Sequence, residues 1–155
     1  MKIGIIVFSQ TGNTRKVAEK LKARLSAGGH EAVIEEVIPQ GEVTPGMKNV
    51  SFDSAPEVSG YEGVVFASPV QAFSLAAAMG VYLKQIASLE GKKIACFVTK
   101  QLAGKWTGGN HAIRQISNLC KARGATPAAS DVIIWSSKKR DQMIEETIDT
   151  ISAAF

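Results

Sequence analysis

The sequence predicts an α/β protein with a parallel sheet covered by helices on both faces, and three observations carry that prediction. Apolar runs of strand length alternate with segments of helical period, the pattern of successive βαβ units with right-handed crossovers. One run, residues 63–67, is apolar at every position, as a strand buried on both faces requires. The first run, residues 3–8, passes directly into a loop of small hydroxyl and amide residues, 9–14, that opens a helix. Such sheets build anion pockets in this way, beyond a strand's carboxyl end.

The elements follow in order. After the first strand, Val17, Ala18, Leu21 and Leu25 recur at helical spacing over residues 14–25, and Gly28-Gly29 ends that helix. Residues 32–37 form a second strand whose Glu35 and Glu36 suit a sheet edge. In 38–62, Pro39, Gly41, Pro45, Gly46, Pro56 and Gly60 break any period. A stretch so long is expected to hold a short helical turn or an extended piece on the surface. Residues 63–67 are the third strand, 68–74 the loop after it, and 75–87 an Ala-rich helix with Met79, Leu83 and Ile86 on one face. Residues 93–99 make the fourth strand, 100–109 a loop, and 110–123 an amphipathic helix closed by Gly124. Residues 131–135 form the fifth strand, with Trp135 in the core. Ser136-Ser137 can cap a last helix through Met143, Ile144, Ile148 and Ile151.

With 155 residues, 45% hydrophobic and 21% charged, the chain is expected to fold as a single domain over 1–155. The net charge of +4 raises the question of nucleic acid or anionic surfaces. Arg15, Lys16, Lys20, Lys22 and Arg24 are spread along one helix, however, and Lys138-Lys139-Arg140 is the one compact cluster. A solvated surface accounts for both, and no nucleic-acid motif accompanies them. No apolar stretch approaches the about 18 residues of a membrane span, and the apolar start is too short for a signal peptide. A cytoplasmic protein with neither membrane nor nucleic-acid partner is expected. Cys96 and Cys120 form no C-x-x-C, which argues against a disulfide framework or a zinc site. No metal is expected, and Cys96 should be a small core residue.

Ser9, Thr11 and Thr14 supply hydroxyls, Asn13 supplies an amide, and Gly12 lets the backbone approach a ligand closely. The helix-opening N–H groups behind them have no partner within the helix and carry partial positive charge. With no Lys or Arg inside it, this loop suits one phosphate group held by neutral donors, as on a mononucleotide. The plain alternative is that Thr11 or Asn13 caps the helix while the hydroxyls face water. Neither G-x-G-x-x-G nor G-x-x-x-x-G-K-[ST] follows the strand, which excludes the dinucleotide fingerprint and the nucleoside-triphosphatase loop. Ser9-Gln10-Thr11-Gly12-Asn13-Thr14 resembles the FMN phosphate loop of the flavodoxin family, S/T-x-T-G-N-T, and matches it at every defined position. The resemblance implies a flavodoxin-like doubly wound five-stranded parallel sheet, order 2-1-3-4-5, with helices on both faces. It also implies noncovalent FMN at the switch point between the first and third strands.

In that order the loops after strands one, three and four converge. The residues then implied at the flavin are Ser9, Gln10, Thr11, Gly12, Asn13 and Thr14 from the first loop. The second loop gives Ser68, Pro69, Val70, Gln71 and Phe73, and the third gives Thr99, Lys100, Gln101, Trp106, Gly108 and Gly109. Phe73 and Trp106 offer aromatic faces for an isoalloxazine ring. Thr99, Gln101, Thr107 and the glycine backbone offer partners for its polar edge. Phe73 can equally anchor its helix in the core, whereas Trp106 has no apolar neighbour among Gly104, Lys105, Thr107 and Gly108. Lys100 and Lys105 read by default as solvated surface charges, and His111 as a surface residue.

Two features depart from electron-shuttling flavodoxins. The chain is basic where those are acidic, and residues 99–109 lack their acidic loop with a stacking tyrosine. In this the chain is similar to the broader flavodoxin-like group, which includes FMN-dependent quinone reductases. The expected function is FMN-dependent electron transfer with redox partner proteins or a small-molecule acceptor, with no catalytic residue assigned. An FMN-dependent NAD(P)H:quinone reductase-like enzyme is the alternative, and a cofactorless interaction module stands third. A receiver domain is rejected because Ser9-Gln10 and Ser68-Pro69 occupy the places of its acidic pair and phosphorylated aspartate. A hydrolase is rejected because no G-x-S-x-G occurs.

Overall fold

Strands and helices alternate along the chain: Lys2–Val7 (β1), Asn13–Ala27 (α1), Glu31–Glu36 (β2), Ile38–Pro39 (β3), Phe52–Ser54 (β4), Gly63–Gln71 (β5), Ser74–Leu75 (β6), Ala77–Gln85 (α2), Lys93–Lys100 (β7), Gly109–Lys121 (α3), Ala129–Ile134 (β8) and Arg140–Ser152 (α4). These elements come from a computed structural model that describes residues 1–104 and 107–155. Lys105 and Trp106, both singled out in the sequence, lie outside the described residues. β2, β1, β5, β7 and β8 pair in parallel in that spatial order, which is the sheet expected, with charged β2 at its edge. Among the described residues, no helix is long and apolar enough to cross a membrane.

The apolar strands have a direct cause: each face of the sheet carries its own core. Ile3, Ile5 and Val7 join Val17, Leu21 and Ile148 beneath α1 and α4. Ile6 and Phe8 join Met79, Leu83 and Ile116 beneath α2 and α3. Both side-chain parities of β1 are therefore buried. Cys96 and Cys120 are free thiols within the second of these cores. Burial pushes both up to about 12, so neither is a nucleophile at neutral pH.

The sequence-based boundaries shift at the carboxyl end of the sheet. β5 does not stop at residue 67 but runs on to Gln71, so the first half of the expected loop 68–74 is strand. β7 grows beside it, pairing Ser68 with Val98 and Pro69 with Thr99. β6 folds back antiparallel, pairing Val70 with Leu75 and Gln71 with Ser74. Pro69 is tolerated because it lies beyond the last β1–β5 pair, Val7 with Ala67, where no β1 acceptor awaits an N–H. The stretch 38–62 contains the expected extended piece, the antiparallel β3–β4 ribbon. Buried Val43, Val58 and Tyr61 pin this stretch to the core.

Two expectations about the last crossover are corrected. Ser136 and Ser137 do not cap the final helix. α4 begins at Arg140 without a side-chain cap, and the Ser137 hydroxyl instead accepts the Lys139 N–H at 3.1 Å. Trp135 is half-buried, not a full core residue. The Arg140 guanidinium sits 4.9 Å from its ring centroid, a cation–π contact on the solvent side.

Candidate functional site

Three loops meet beyond the carboxyl ends of β1, β5 and β7. The first leaves β1 through buried Phe8 and turns into α1 at Gly12, whose φ of +88° places it in the left-handed region. Glycine adopts that conformation without a Cβ penalty, and a Cβ added here would meet nothing within 4 Å, leaving open space in front of the turn. The Gly12 N–H is satisfied by Ser9 Oγ at 3.1 Å, and the first helical bond runs from Lys16 N–H to the Gly12 carbonyl at 3.0 Å. The N–H groups of Thr11, Asn13, Thr14 and Arg15 have no acceptor among the described residues. No side chain caps α1, so the plain capping alternative for Thr11 and Asn13 does not hold in this structure. Thr11 is exposed and Asn13 half-buried at the helix start. Thr14 is turned inward and 1% exposed; its hydroxyl shares a buried 2.9 Å hydrogen bond with Thr99 Oγ1. That bond moors the first turn of α1 to the end of β7.

The second loop has shrunk to a two-residue hairpin turn between β5 and β6. Ala72 and Phe73 hold it at φ of 46° and 62°, the geometry usually supplied by Asn-Gly. Left-handed backbone costs a residue with a Cβ roughly 1–2 kcal/mol, so the turn needs external support. Gln115 of α3 gives part of it, its Oε1 accepting Ser74 Oγ at 2.9 Å and the Leu75 N–H at 2.8 Å. Gly108 gives the rest: a Cβ added there would fall 2.3 Å from the Phe73 carbonyl carbon and oxygen, so its backbone lies flat against the turn. Gln71 Nε2 reaches across to Gln10 Oε1 at 2.5 Å, joining the second loop to the first. Phe73 projects outward, 58% exposed, and does not anchor its helix. Ser68 has no exposed surface, and its hydroxyl donates to the Pro69 carbonyl at 3.0 Å.

The third loop is organised by Lys100. Far from being a solvated surface charge, Lys100 is 9% exposed, because the aliphatic stem packs against Gly109. Its ammonium donates to the Gly104 carbonyl at 2.8 Å and to Thr107 Oγ1 at 2.7 Å. Both partners are neutral, and no carboxylate pairs with it among the described residues. Thr107 in turn lies within hydrogen-bond reach of the Gly104 carbonyl at 2.8 Å and the Leu102 carbonyl at 3.1 Å, closing the loop on itself. Gly108 and Gly109 are buried at the start of α3, and Gln101 is exposed.

Val70, Ala72, Phe73, Lys100, Gln101, Leu102 and Thr107 line a cleft of about 250 Å³ between the second and third loops. Of these, Leu102 and Ala72 are not marked by any sequence pattern; their place follows from the turn and from the ring of bonds around Lys100. The arrangement offers unpaired N–H donors at one end, a small cleft with one aromatic wall at the other, and a buried cation beside it.

No protein-family model matches the sequence, and no curated protein does. Solved structures do match it. Oxidised Flavodoxin 2 from Bacillus cereus superposes with a TM-score of 0.70 over 100% of both chains at 22% identity. A flavoprotein in complex with FMN from Lactobacillus acidophilus superposes with a TM-score of 0.66, covering 94% of this chain and 97% of its own, at 16% identity. Two-electron reduced flavodoxin from Megasphaera elsdenii gives a TM-score of 0.68, covering 97% and 98%, at 16% identity. The chain has the flavodoxin-like fold.

Proposed function

We propose that this chain holds FMN noncovalently and transfers electrons to and from redox partners in the cytoplasm. The observation that carries this is the turn into α1: unpaired N–H groups, a neutral loop and open space at Gly12, set at the switch point where doubly wound sheets bind ligands. The residues fit the group. The Thr11 hydroxyl, the Asn13 amide and the N–H groups of Asn13, Thr14 and Arg15 would hold a phosphate. The cleft beside Phe73, at about 250 Å³, is below the roughly 300–1,000 Å³ of a pocket for a whole ligand. It suits the ring end alone, with Trp106 a second aromatic candidate. When bound, FMN would supply the redox chemistry, and the protein its position and electrostatics.

A second reading, an FMN-dependent NAD(P)H:quinone reductase-like enzyme, is favoured by Lys100. A buried cation without a carboxylate stabilises negative charge placed next to it, and a reduced flavin carries such charge. At an effective dielectric near 20, one charge at close range is worth on the order of 2 kcal/mol, or on the order of 40 mV on a two-electron couple. Lys100→Gln is therefore expected to make the FMN midpoint potential more negative by some tens of millivolts, read by spectroelectrochemical titration. An unmoved potential removes Lys100 from the electrostatics of the site. Anaerobic mixing with NADH or NADPH separates the two readings: rapid bleaching supports the enzyme, and bleaching only by a chemical reductant supports the carrier.

A further inference from the structure

Resting on the cofactor assignment above, we propose that the loop face around the cleft is a docking surface for an acidic electron-transfer protein. Phe73 and Leu102, 58% and 59% exposed, are the two most exposed large apolar side chains among the described residues, and both line the same cleft. An apolar centre of this kind within a polar, charged rim is the anatomy of a protein–protein interface. The rim here is cationic. The Trp135 N–H donates to the Lys100 carbonyl at 2.7 Å, and the Ser136 hydroxyl donates to the Gln101 carbonyl. The β8–α4 loop is thereby fastened to the third loop, which brings exposed Lys138 and Lys139 to this end of the sheet. Arg114 is exposed in the second turn of α3, and Lys16 in the first turn of α1.

Carboxylates at this end are fewer. Glu36 is neutralised by Arg15 at 2.7 Å; Glu42 and Asp141 are exposed. At the opposite end of the sheet the charges are mixed: Lys2, Lys84, Lys92, Lys93, Lys121 and Arg123 share that end with Glu31, Glu57, Glu62 and Glu90, and Arg24 is bound by Glu145 and Asp149. The cleft face thus sets exposed Lys16, Arg114, Lys138 and Lys139 against exposed Glu42 and Asp141, an excess of positive charge. The cations stand on separate elements and converge on no pocket, so they suit a broad acidic surface better than one small anion. Charge arranged in this way steers encounter and fixes orientation.

The test uses the full chain and, as probe, a strongly acidic [2Fe–2S] ferredoxin, with basic cytochrome c as its opposite. The ferredoxin is expected to bind, and its Kd to rise at least tenfold between about 10 mM and about 200 mM salt. Its paramagnetic cluster is expected to broaden the backbone amide signals around Phe73, Leu102 and Lys138. The Lys138→Glu/Lys139→Glu variant should lose most of the binding, while Lys93→Glu/Lys121→Glu, with the same charge change at the far end, keeps it. Broadening confined to another face, equal losses in both variants, or tighter binding to phosphatidylglycerol vesicles or duplex DNA than to ferredoxin would overturn the proposal. Binding needs no flavin, so visible absorbance after FMN addition judges the cofactor assignment separately.

Discussion

Replacing both Thr11 and Asn13 by alanine is expected to weaken FMN binding by roughly 10²–10⁴-fold, because each hydrogen bond to a charged group is worth about 1.5–3 kcal/mol. The structure makes the pair a clean choice. Thr11 is exposed and Asn13 half-buried, and neither side chain caps α1. The mooring between Thr14 and Thr99 is left intact. The fold should therefore survive with an unchanged denaturation midpoint, and the loss should fall on the cofactor. Titration of FMN with the variant, followed by quenching of flavin fluorescence, gives the Kd. A Kd equal to that of the parent would place the phosphate elsewhere.

Gly108→Ala is expected to destabilise the fold by about 3 kcal/mol or more, adding steric overlap to a left-handed backbone. Its φ is +97°, and the new Cβ would fall 2.3 Å from the carbonyl carbon and oxygen of Phe73. Those are backbone atoms of a hairpin turn already held at positive φ, so they cannot rotate away. Gly124→Ala is the control. Gly124 has nearly the same φ, +98°, but its Cβ would meet Glu90 Cγ at 2.5 Å, part of a flexible exposed side chain. That control should lose only about 1 kcal/mol, the cost of the backbone conformation. Urea denaturation of the two variants beside the parent decides the matter, and equal losses would contradict the packing of Gly108 on the turn.

The order of elements was legible because the central strands β1, β5 and β7 are apolar on both parities and each helix keeps its period; in β1, Ile5 and Ile6 point to opposite cores. The phosphate-type loop was legible because its donors are contiguous. What was hidden depends on partners distant in sequence. Nothing local marks Ser68–Gln71 as strand, since their extension depends on β7 growing alongside. Ala72 and Phe73 carry no turn signature, and their conformation is imposed by Gly108 and Gln115. Lys100 looked solvated because its hydrogen-bond partners, Gly104 and Thr107, become neighbours only when the loop closes. Trp135, at the end of an apolar run, reads as core, yet it meets Arg140 at the surface.

The central claim is that the turn into α1 recognises a phosphate attached to a flavin. Parallel titrations of the full chain with FMN and with riboflavin, which shares the ring and lacks the phosphate, test it most directly. The account predicts one equivalent of tightly bound FMN, a yellow protein after gel filtration, and riboflavin binding weaker by at least a hundredfold. Equal affinity for the two, or no binding of either, would contradict it.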